Sequence, residues 1–98
     1  MIEKELEARV RQLAEELGGP NALVEAVRII NAGRDIGLAK AIAATGSAQK
    51  LAKKLGVAPQ TIYNWRRIPA ERVIDIEAVT GVARKELRPD LYEGYDMK

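Results

Sequence analysis

The sequence contains no cysteine, no histidine and no phenylalanine, and its only aromatic residues are one tryptophan and three tyrosines. Without cysteine and histidine there can be no disulfide bond, no Cys/His zinc site, no thiol nucleophile and no imidazole acid–base group. Any functional site must therefore be built from carboxylates, hydroxyls, amides or cations, and we expect no metal and no cofactor. Because phenylalanine is missing, the core of the expected single domain must be mostly aliphatic.

Long apolar runs are absent too. The longest covers residues 41–44, whereas a membrane span needs ~20 apolar residues. The beginning of the chain lacks the basic region and the apolar core of a secretion signal. We therefore expect a cytoplasmic protein that has no membrane partner.

Signals of catalysis are missing as well. The chain has 14 Asp and Glu residues. No two of them are spaced as a catalytic acid–base pair next to a segment that predicts an apolar cleft. The sequence also has no glycine-rich phosphate loop, nucleophile elbow or nucleotide-binding fingerprint. We therefore expect that the protein is not an enzyme.

The formal net charge of +2 conceals an uneven distribution of charge. Residues 1–35 carry five basic and seven acidic side chains, residues 36–88 carry ten and four, and residues 89–98 carry one and three. The basic excess is greatest within residues 48–72. Such segregation is typical of a polyanion-binding face, although a merely solvated helix surface would show it as well.

Hydrophobic spacing predicts two helices in the first part of the chain. The first, over about residues 2–17, has a stripe that either packs in its own bundle or forms a dimer surface. The stripe consists of Ile2, Leu6, Val10, Leu13 and Leu17. Residues 18–20 (Gly-Gly-Pro) end this helix and begin a second, with Pro20 at its first helical position. The side chains that the second helix is predicted to bury are Leu23, Ala26, Val27 and Ile30.

Capping residues mark the later helices. Asp35 and Ser47 are predicted N-caps of a third and a fourth helix, and the third ends at Gly46. Pro69 is predicted to open a further helix, with Val73, Ile76 and Val79 inward and Gly81 after it. A short turn over Arg84–Leu87 ends before Pro89, and we expect the acidic residues 90–98 to be loose. No segment alternates with a period of two, so the predicted fold class is all-α.

Residues 48–67 have the pattern of a helix-turn-helix. In this motif each of the two helices has apolar side chains that face the core, and a small residue lies where the helices cross. The turn between them has a residue in the left-handed conformation, followed by an apolar residue that packs into the corner. Seven positions meet these requirements. These positions are Leu51, Ala52, Leu55, Gly56, Val57, Ile62 and Trp65. With Ile62 and Trp65 buried, a recognition helix over residues 59–66 directs Gln60, Thr61 and Asn64 outward and places Tyr63 at the flank.

These outward side chains are suited to contact DNA bases. Glutamine and asparagine can bond adenine N6 and N7, and threonine can contact thymine or donate its hydroxyl. Polar and cationic side chains nearby are predicted to contact phosphates and so fix the docking. They are Gln49, Lys50, Lys53, Lys54, Arg66, Arg67 and Arg72. The alternative is that Gln60, Thr61, Tyr63 and Asn64 are ordinary exposed residues of a protein-binding helical domain.

Four segments together resemble the YdaS-like, Cro-type antitoxins and phage-type repressors. They are residues 51–57 (LAKKLGV), 62–72 (IYNWRRIPAER), 76–81 (IEAVTG) and 86–92 (ELRPDLY). The resemblance covers residues 36–92 and implies a five-helix, repressor-like bundle that binds operator DNA. It also implies structural roles for Pro69, Glu71, Arg72 and residues 88–90.

The chain departs from that family pattern in two places. Ala58 stands at the N-cap of the recognition helix, where the family usually has Ser or Thr, although Pro59 pre-sets the helical φ angle. Residues 1–35 form a predicted helical extension before the DNA-binding domain of residues 36–92, and residues 93–98 form a predicted loose acidic tail.

The sequence thus favours a DNA-binding transcriptional regulator, most simply a repressor acting as a homodimer on double-stranded DNA. Its two half-sites would lie one helical turn apart, ~34 Å. The alternative is an antitoxin or adaptor whose main partner is a toxin or another protein, with DNA binding used for autoregulation. The N-terminal extension and the acidic tail suggest that alternative.

Overall fold

The structure, a computed structural model, describes the backbone of residues 2–92 and the side chains of residues 8–92. All regular elements within that part of the chain are helical, which confirms the predicted all-α class. In order they are α1 (Ile2–Leu13), a π-helical segment (Ala14–Gly18), α2 (Ala22–Asn31), α3 (Ile36–Thr45), α4 (Ala48–Leu55), α5 (Pro59–Tyr63), a 3₁₀ turn (Ala70–Arg72), α6 (Val73–Thr80), α7 (Arg84–Leu87) and α8 (Pro89–Tyr92). Each helix within residues 2–92 is too short or too polar to span a lipid bilayer.

Helix α3 lies at the centre of the molecule. It packs against α1, the π-helical segment, α2, α4, α6 and α7. Its side chains are mainly alanine, with Leu38 and Ile42 as the large buried members. Small side chains let neighbouring backbones approach closely, and the contact is closest at two glycines. A Cβ on Gly18 would lie 1.8 Å from the Ala43 carbonyl oxygen, and one on Gly37 would lie 2.0 Å from that of Leu87.

The first predicted helix is interrupted after Leu13. The amide of Gly19 donates to the carbonyl of Ala14 over 3.0 Å, and this i→i+5 bond belongs to a π-helical turn. The wider turn rotates Leu17 off the stripe, so Leu17 is 55% exposed and does not pack in the core with Val10 and Leu13. Val10 and Leu13 are buried in the chain's own core, whereas the side chains of Ile2 and Leu6 lie outside the described residues.

Two predictions for the second helix are wrong. Pro20 lies in the preceding turn, and α2 begins only at Ala22, because the amide of Ala22 bonds the Gly19 carbonyl to close that turn. Val27 is 36% exposed, since the face that meets α3 is made by Ala22, Ala26 and Ile29. Leu23 and Ile30 are partly buried at its edges.

Most of the predicted caps are confirmed. Asp35 accepts a hydrogen bond from the amide of Gly37 at 3.0 Å, and Ser47 accepts one from the amide of Lys50 at 3.1 Å. Gly46 and Gly81 follow α3 and α6 with positive φ angles. Pro69, however, precedes a 3₁₀ turn rather than opening the α-helix, which begins at Val73.

The C-terminal part of the described chain is more ordered than the sequence suggests. Residues 90–92 belong to α8, which Pro89 opens because a missing amide hydrogen costs nothing at a first helical position. The rest of the predicted loose tail, residues 93–98, lies outside the described residues.

An ion-pair cluster joins α1 to the later helices. Arg9 donates two hydrogen bonds, of 2.7 and 2.6 Å, to the carboxylate of Glu86 in α7. The ammonium group of Lys40, in α3, lies 3.4 Å from the same carboxylate. The predicted division of the chain at residue 35 stays a prediction, but side chains from both sides of it share one hydrophobic core.

Candidate nucleic-acid interface

Helices α4 and α5 form a helix-turn-helix, as the sequence predicts. Leu51 and Ala52 of α4 and Ile62 of α5 are fully buried. Gly56 adopts the left-handed conformation, with φ 75° and ψ 28°, and the amide of Val57 bonds the Ala52 carbonyl at 3.0 Å. Glycine adopts this conformation without the Cβ penalty that other residues incur. The turn therefore follows directly from the local sequence.

The recognition helix is shorter than predicted, and the expected range of residues 59–66 is wrong. Helix α5 ends at Tyr63, and Asn64 occupies its C-cap. Trp65 then turns back toward the core, where it is half-buried rather than fully buried. Ile62 and Trp65 are three positions apart, as two buried side chains on one helix would be. The helix nevertheless ends at Tyr63, between these two residues. Arg66 and Arg67 consequently lie in a loop.

Two of the four predicted base-reading side chains are brought together. Gln60 and Asn64 are both exposed, and Gln60 Nε2 donates to Asn64 Oδ1 at 3.1 Å. Such an i,i+4 amide pair limits the rotamers of both side chains. Thr61 is half-buried, and Tyr63 is 44% exposed beside α2. The two exposed amides thus lie together on the outer surface of α5 and its C-cap.

The predicted phosphate-contacting residues on α4 are all at the surface. Gln49, Lys50, Lys53 and Lys54 are exposed. Lys50 folds back along the end of α3, since a Cβ on Gly46 would lie 3.3 Å from Lys50 Nζ. Lys53 and Lys54 stand in the last turn of α4 and form no ion pair with residues 8–92.

The three predicted arginines differ in their surroundings. Arg66 is exposed, and Arg72 is half-buried; neither has a carboxylate partner within the described side chains. Arg67 lies between two carboxylates, 4.0 Å from Asp35 and 3.8 Å from Asp90. Its charge is therefore partly compensated by the protein, whereas that of Arg66 is not.

The loop after α5 is held at two points. The amide of Asp35 donates to the Arg66 carbonyl at 2.9 Å, and Arg88 Nη1 donates to the Ile68 carbonyl at 2.7 Å. Ile68 itself is fully buried. These bonds place Arg66 and Arg67 beside the recognition helix without helical structure of their own. The role of Asp35 as an anchor has no local signal, because its partner is 31 positions away along the chain.

Arg88 is a buried arginine whose side chain donates hydrogen bonds to the Ile68 carbonyl and to the carboxylate of Asp90. It is 8% exposed, and its bonds to the two carboxylate oxygens of Asp90 are 2.9 and 2.7 Å long. These hydrogen bonds lower the pKa of Asp90 to about 2, and they raise the pKa of Arg88. Residues 88–90 therefore have a structural role, which is what the family resemblance implies for them.

The described side chains offer no site for a metal ion: within residues 8–92 no three carboxylates converge on one point. The chemistry that this surface provides is hydrogen bonding by amides and attraction of anions by lysine and arginine. These are the interactions that proteins use to read base edges and to contact phosphates.

Comparison with known proteins identifies the family. Searches of curated proteins and of solved structures returned no significant match to the chain. The family described as "Bacterial toxin YdaS" matches residues 38–96, which include the helix-turn-helix and the Arg88–Asp90 pair. This match covers more than half of the chain and relates it to toxin–antitoxin proteins. The chain belongs to the Bacterial toxin YdaS family.

Proposed function

We propose that the protein is a sequence-specific DNA-binding regulator of transcription, a repressor rather than an enzyme, and that α5 enters the major groove. The observation that carries the proposal is the surface of the helix-turn-helix. Exposed amides on α5 are flanked by cations that have no carboxylate partner within residues 8–92, namely Lys53, Lys54 and Arg66. Elsewhere in the described chain, Arg9, Lys40, Arg84 and Arg88 are paired with carboxylates, whereas Arg11 and Arg34 form no ion pair with residues 8–92.

The chemistry of each side chain determines whether it contacts bases or phosphates. Gln60 and Asn64 can each bond adenine N6 and N7, and their mutual hydrogen bond holds them ready in one orientation. Thr61 supplies a hydroxyl or a methyl contact at the edge of the helix. The lysines of α4 and Arg66 contact phosphates, which sets the docking without reading sequence.

A helix of five residues places few side chains in the groove, so one copy of α5 offers little discrimination. We therefore propose that two copies of the chain bind together as a homodimer. The two recognition helices would then contact half-sites separated by about 34 Å, or one turn of DNA.

The test is in vitro selection from a random duplex pool at physiological salt, followed by binding measurements on the selected sequence. We expect a motif with two half-sites about 10 base pairs apart. Asn64→Ala should relax the preference at one position of each half-site, at a cost of about 1–3 kcal/mol in discrimination. Lys53→Ala is the matched comparison, since it should weaken binding to all sequences evenly. Failure to enrich any motif would overturn the proposal.

A second candidate function is an antitoxin or adaptor whose main partner is a protein. The family match favours it, and so do three exposed apolar side chains in the π-helical segment and α2: Leu17, Val24 and Val27. The partner to test is the polypeptide encoded by the neighbouring reading frame. Val24→Asp should abolish its co-purification with this chain, whereas Ile74→Asp, at an exposed apolar residue of α6, should not. Equal binding by both variants would contradict this candidate.

A further inference from the structure

A cleft lies between the N-terminal helices and the helix-turn-helix. Its volume is about 240 Å³, and its lining includes Arg28 of α2, Arg34 after α2, Ala48 at the start of α4 and Tyr63 at the end of α5. The recognition helix and the predicted N-terminal extension therefore share one surface. The family match begins only at residue 38, so Arg28 and Arg34 lie outside it.

The two arginines carry charge that the protein compensates only weakly. The side chain of Arg28 is 73% exposed, and its one ion pair with a described residue is a 3.7 Å contact with Glu25. Arg34 is half-exposed and forms no ion pair with residues 8–92. Among the described residues that line this cleft, Glu25 is the only carboxylate. The described lining thus has a net positive charge.

Most of the acidic residues of the first 35 positions precede the segment that lines this cleft, which begins at Glu25. Five of the seven precede Gly18. Of the other two, Asp35 caps α3 and faces Arg67, which leaves Glu25 beside the arginines. The net negative charge of residues 1–35 therefore comes mainly from residues before Gly18, and not from the part of the extension that meets the helix-turn-helix.

From this arrangement we infer that Arg28 and Arg34 extend the DNA interface beyond the helix-turn-helix and contact the phosphate backbone next to Tyr63. The inference rests on the proposed function, because it assigns further residues to the same DNA. A phosphate in this position would be attracted by two guanidinium groups, which bind phosphate oxygens through fork-like pairs of donors. Because such contacts touch no base, they add affinity and not sequence preference.

The experiment measures the salt dependence of binding to a mixed-sequence duplex and to the selected duplex. Each lost phosphate contact should reduce the slope of log K against log salt by about 0.9. Because the proposed homodimer loses one contact from each protomer, we expect a reduction of about 1.8 on the selected duplex for Arg34→Gln and for Arg28→Gln, and about twice that value for the double variant. The base preference of the double variant should be unchanged. Thermal unfolding of each variant verifies that the fold is retained, and Arg28 is exposed enough that its replacement leaves the core intact.

Two controls separate the possible failures. Arg11→Gln removes an exposed arginine of α1 that has no ion pair with residues 8–92, and it should leave the slope unchanged. Lys53→Gln should reduce the slope on the selected duplex by about 1.8 if the helix-turn-helix binds as proposed. If the unmodified chain shows no salt-dependent binding, the proposed function itself fails. If Lys53→Gln lowers the slope but the double variant behaves like Arg11→Gln, only the inference about the two arginines is overturned.

Discussion

At the scale of single residues, two glycines determine how closely the helices pack on α3. Gly18 and Gly37 both face carbonyl oxygens of neighbouring segments, and neither has a positive φ angle. Glycine is needed at these two positions because a Cβ atom would not fit, and not because the backbone adopts a conformation that only glycine favours. Gly33 is the opposite case, since its φ is 80° and no atom lies within 4 Å of an added Cβ. The chain therefore allows the two roles of glycine to be measured separately.

We predict that Gly18→Ala lowers the free energy of unfolding by about 3 kcal/mol or more, because the new methyl group would overlap the Ala43 carbonyl and the Ala22 side chain. Gly33→Ala should cost only about 1–2 kcal/mol, the penalty of a left-handed conformation. Urea denaturation of both variants measures the difference. Equal losses would mean that the segment around residue 18 can move away from α3.

Side chains whose role depends on near neighbours are predictable from the sequence. The N-caps Asp35 and Ser47 need only an oxygen and an amide two or three residues later, and both are found as expected. The exposure of Leu17 and Val27 is not predictable in this way. It depends on a π-helical turn and on the position of α3, and neither appears in the local pattern of hydrophobic residues.

At the scale of elements, α4 and α5 differ in how they begin. The hydroxyl of Ser47 caps α4, whereas Ala58 at the N-cap of α5 has no side chain that can accept a hydrogen bond. The backbone of Ala58 is nevertheless in the extended conformation that a capping residue needs, with φ −72° and ψ 146°. Only the oxygen is missing. The amide of Thr61 bonds the Ala58 carbonyl at 3.0 Å, so a hydroxyl at position 58 would add the side-chain acceptor that the start of the recognition helix lacks.

We predict that Ala58→Ser raises the free energy of unfolding by about 1 kcal/mol, since the new hydroxyl can accept from an early amide of α5. Ser47→Ala is the reciprocal control and should lower it by about 1 kcal/mol. Both are measured by chemical denaturation, with circular dichroism as the signal. If Ala58→Ser has no effect while Ser47→Ala destabilises, Pro59 already supplies the order that the cap would add.

The helix-turn-helix is predictable from sequence because its constraints are short-range and numerous. Leu51, Gly56 and Ile62 are separated by a few residues each, and each has the conformation or burial that the motif demands. The end of α5 is not predictable, since the loop after it is held by Asp35 and Arg88. The proximity of Arg34 to Tyr63 likewise arises only from tertiary packing.

At the scale of the whole molecule, two ionic clusters connect segments that are distant in sequence. One joins Arg9 of α1 and Lys40 of α3 to Glu86 of α7. The other joins Arg88 to Asp90 and to the loop after α5 through the Ile68 carbonyl. The first fixes the N-terminal helices to the centre of the bundle, and the second fixes the loop that carries the candidate phosphate contacts. The candidate interface is therefore supported by residues that do not belong to it.

Both clusters make the stability of the protein sensitive to acid. Hydrogen bonds from Arg9 lower the pKa of Glu86, and those from Arg88 lower the pKa of Asp90 to about 2. A carboxyl group whose pKa is lower in the folded state than in the unfolded chain binds protons more readily when the protein is unfolded. Its contribution to stability is present above its unfolded pKa and is lost as the pH falls through the folded value.

For Asp90 the interval extends from about pH 4, near the unfolded pKa of an aspartate, down to about pH 2. We predict that the free energy of unfolding of the unmodified chain decreases over this interval, and that Asp90→Asn is less stable at neutral pH and shows a smaller decrease. Urea denaturation at a series of pH values measures both quantities.

Asp75→Asn is the matched control, because Asp75 is an exposed carboxylate without an ion pair to residues 8–92. This variant should show the same dependence of stability on pH as the unmodified chain. The same acid dependence in Asp90→Asn and in the unmodified chain would show that the Arg88–Asp90 pair does not persist in solution, and Arg88 would then hold the Ile68 carbonyl without its carboxylate partner.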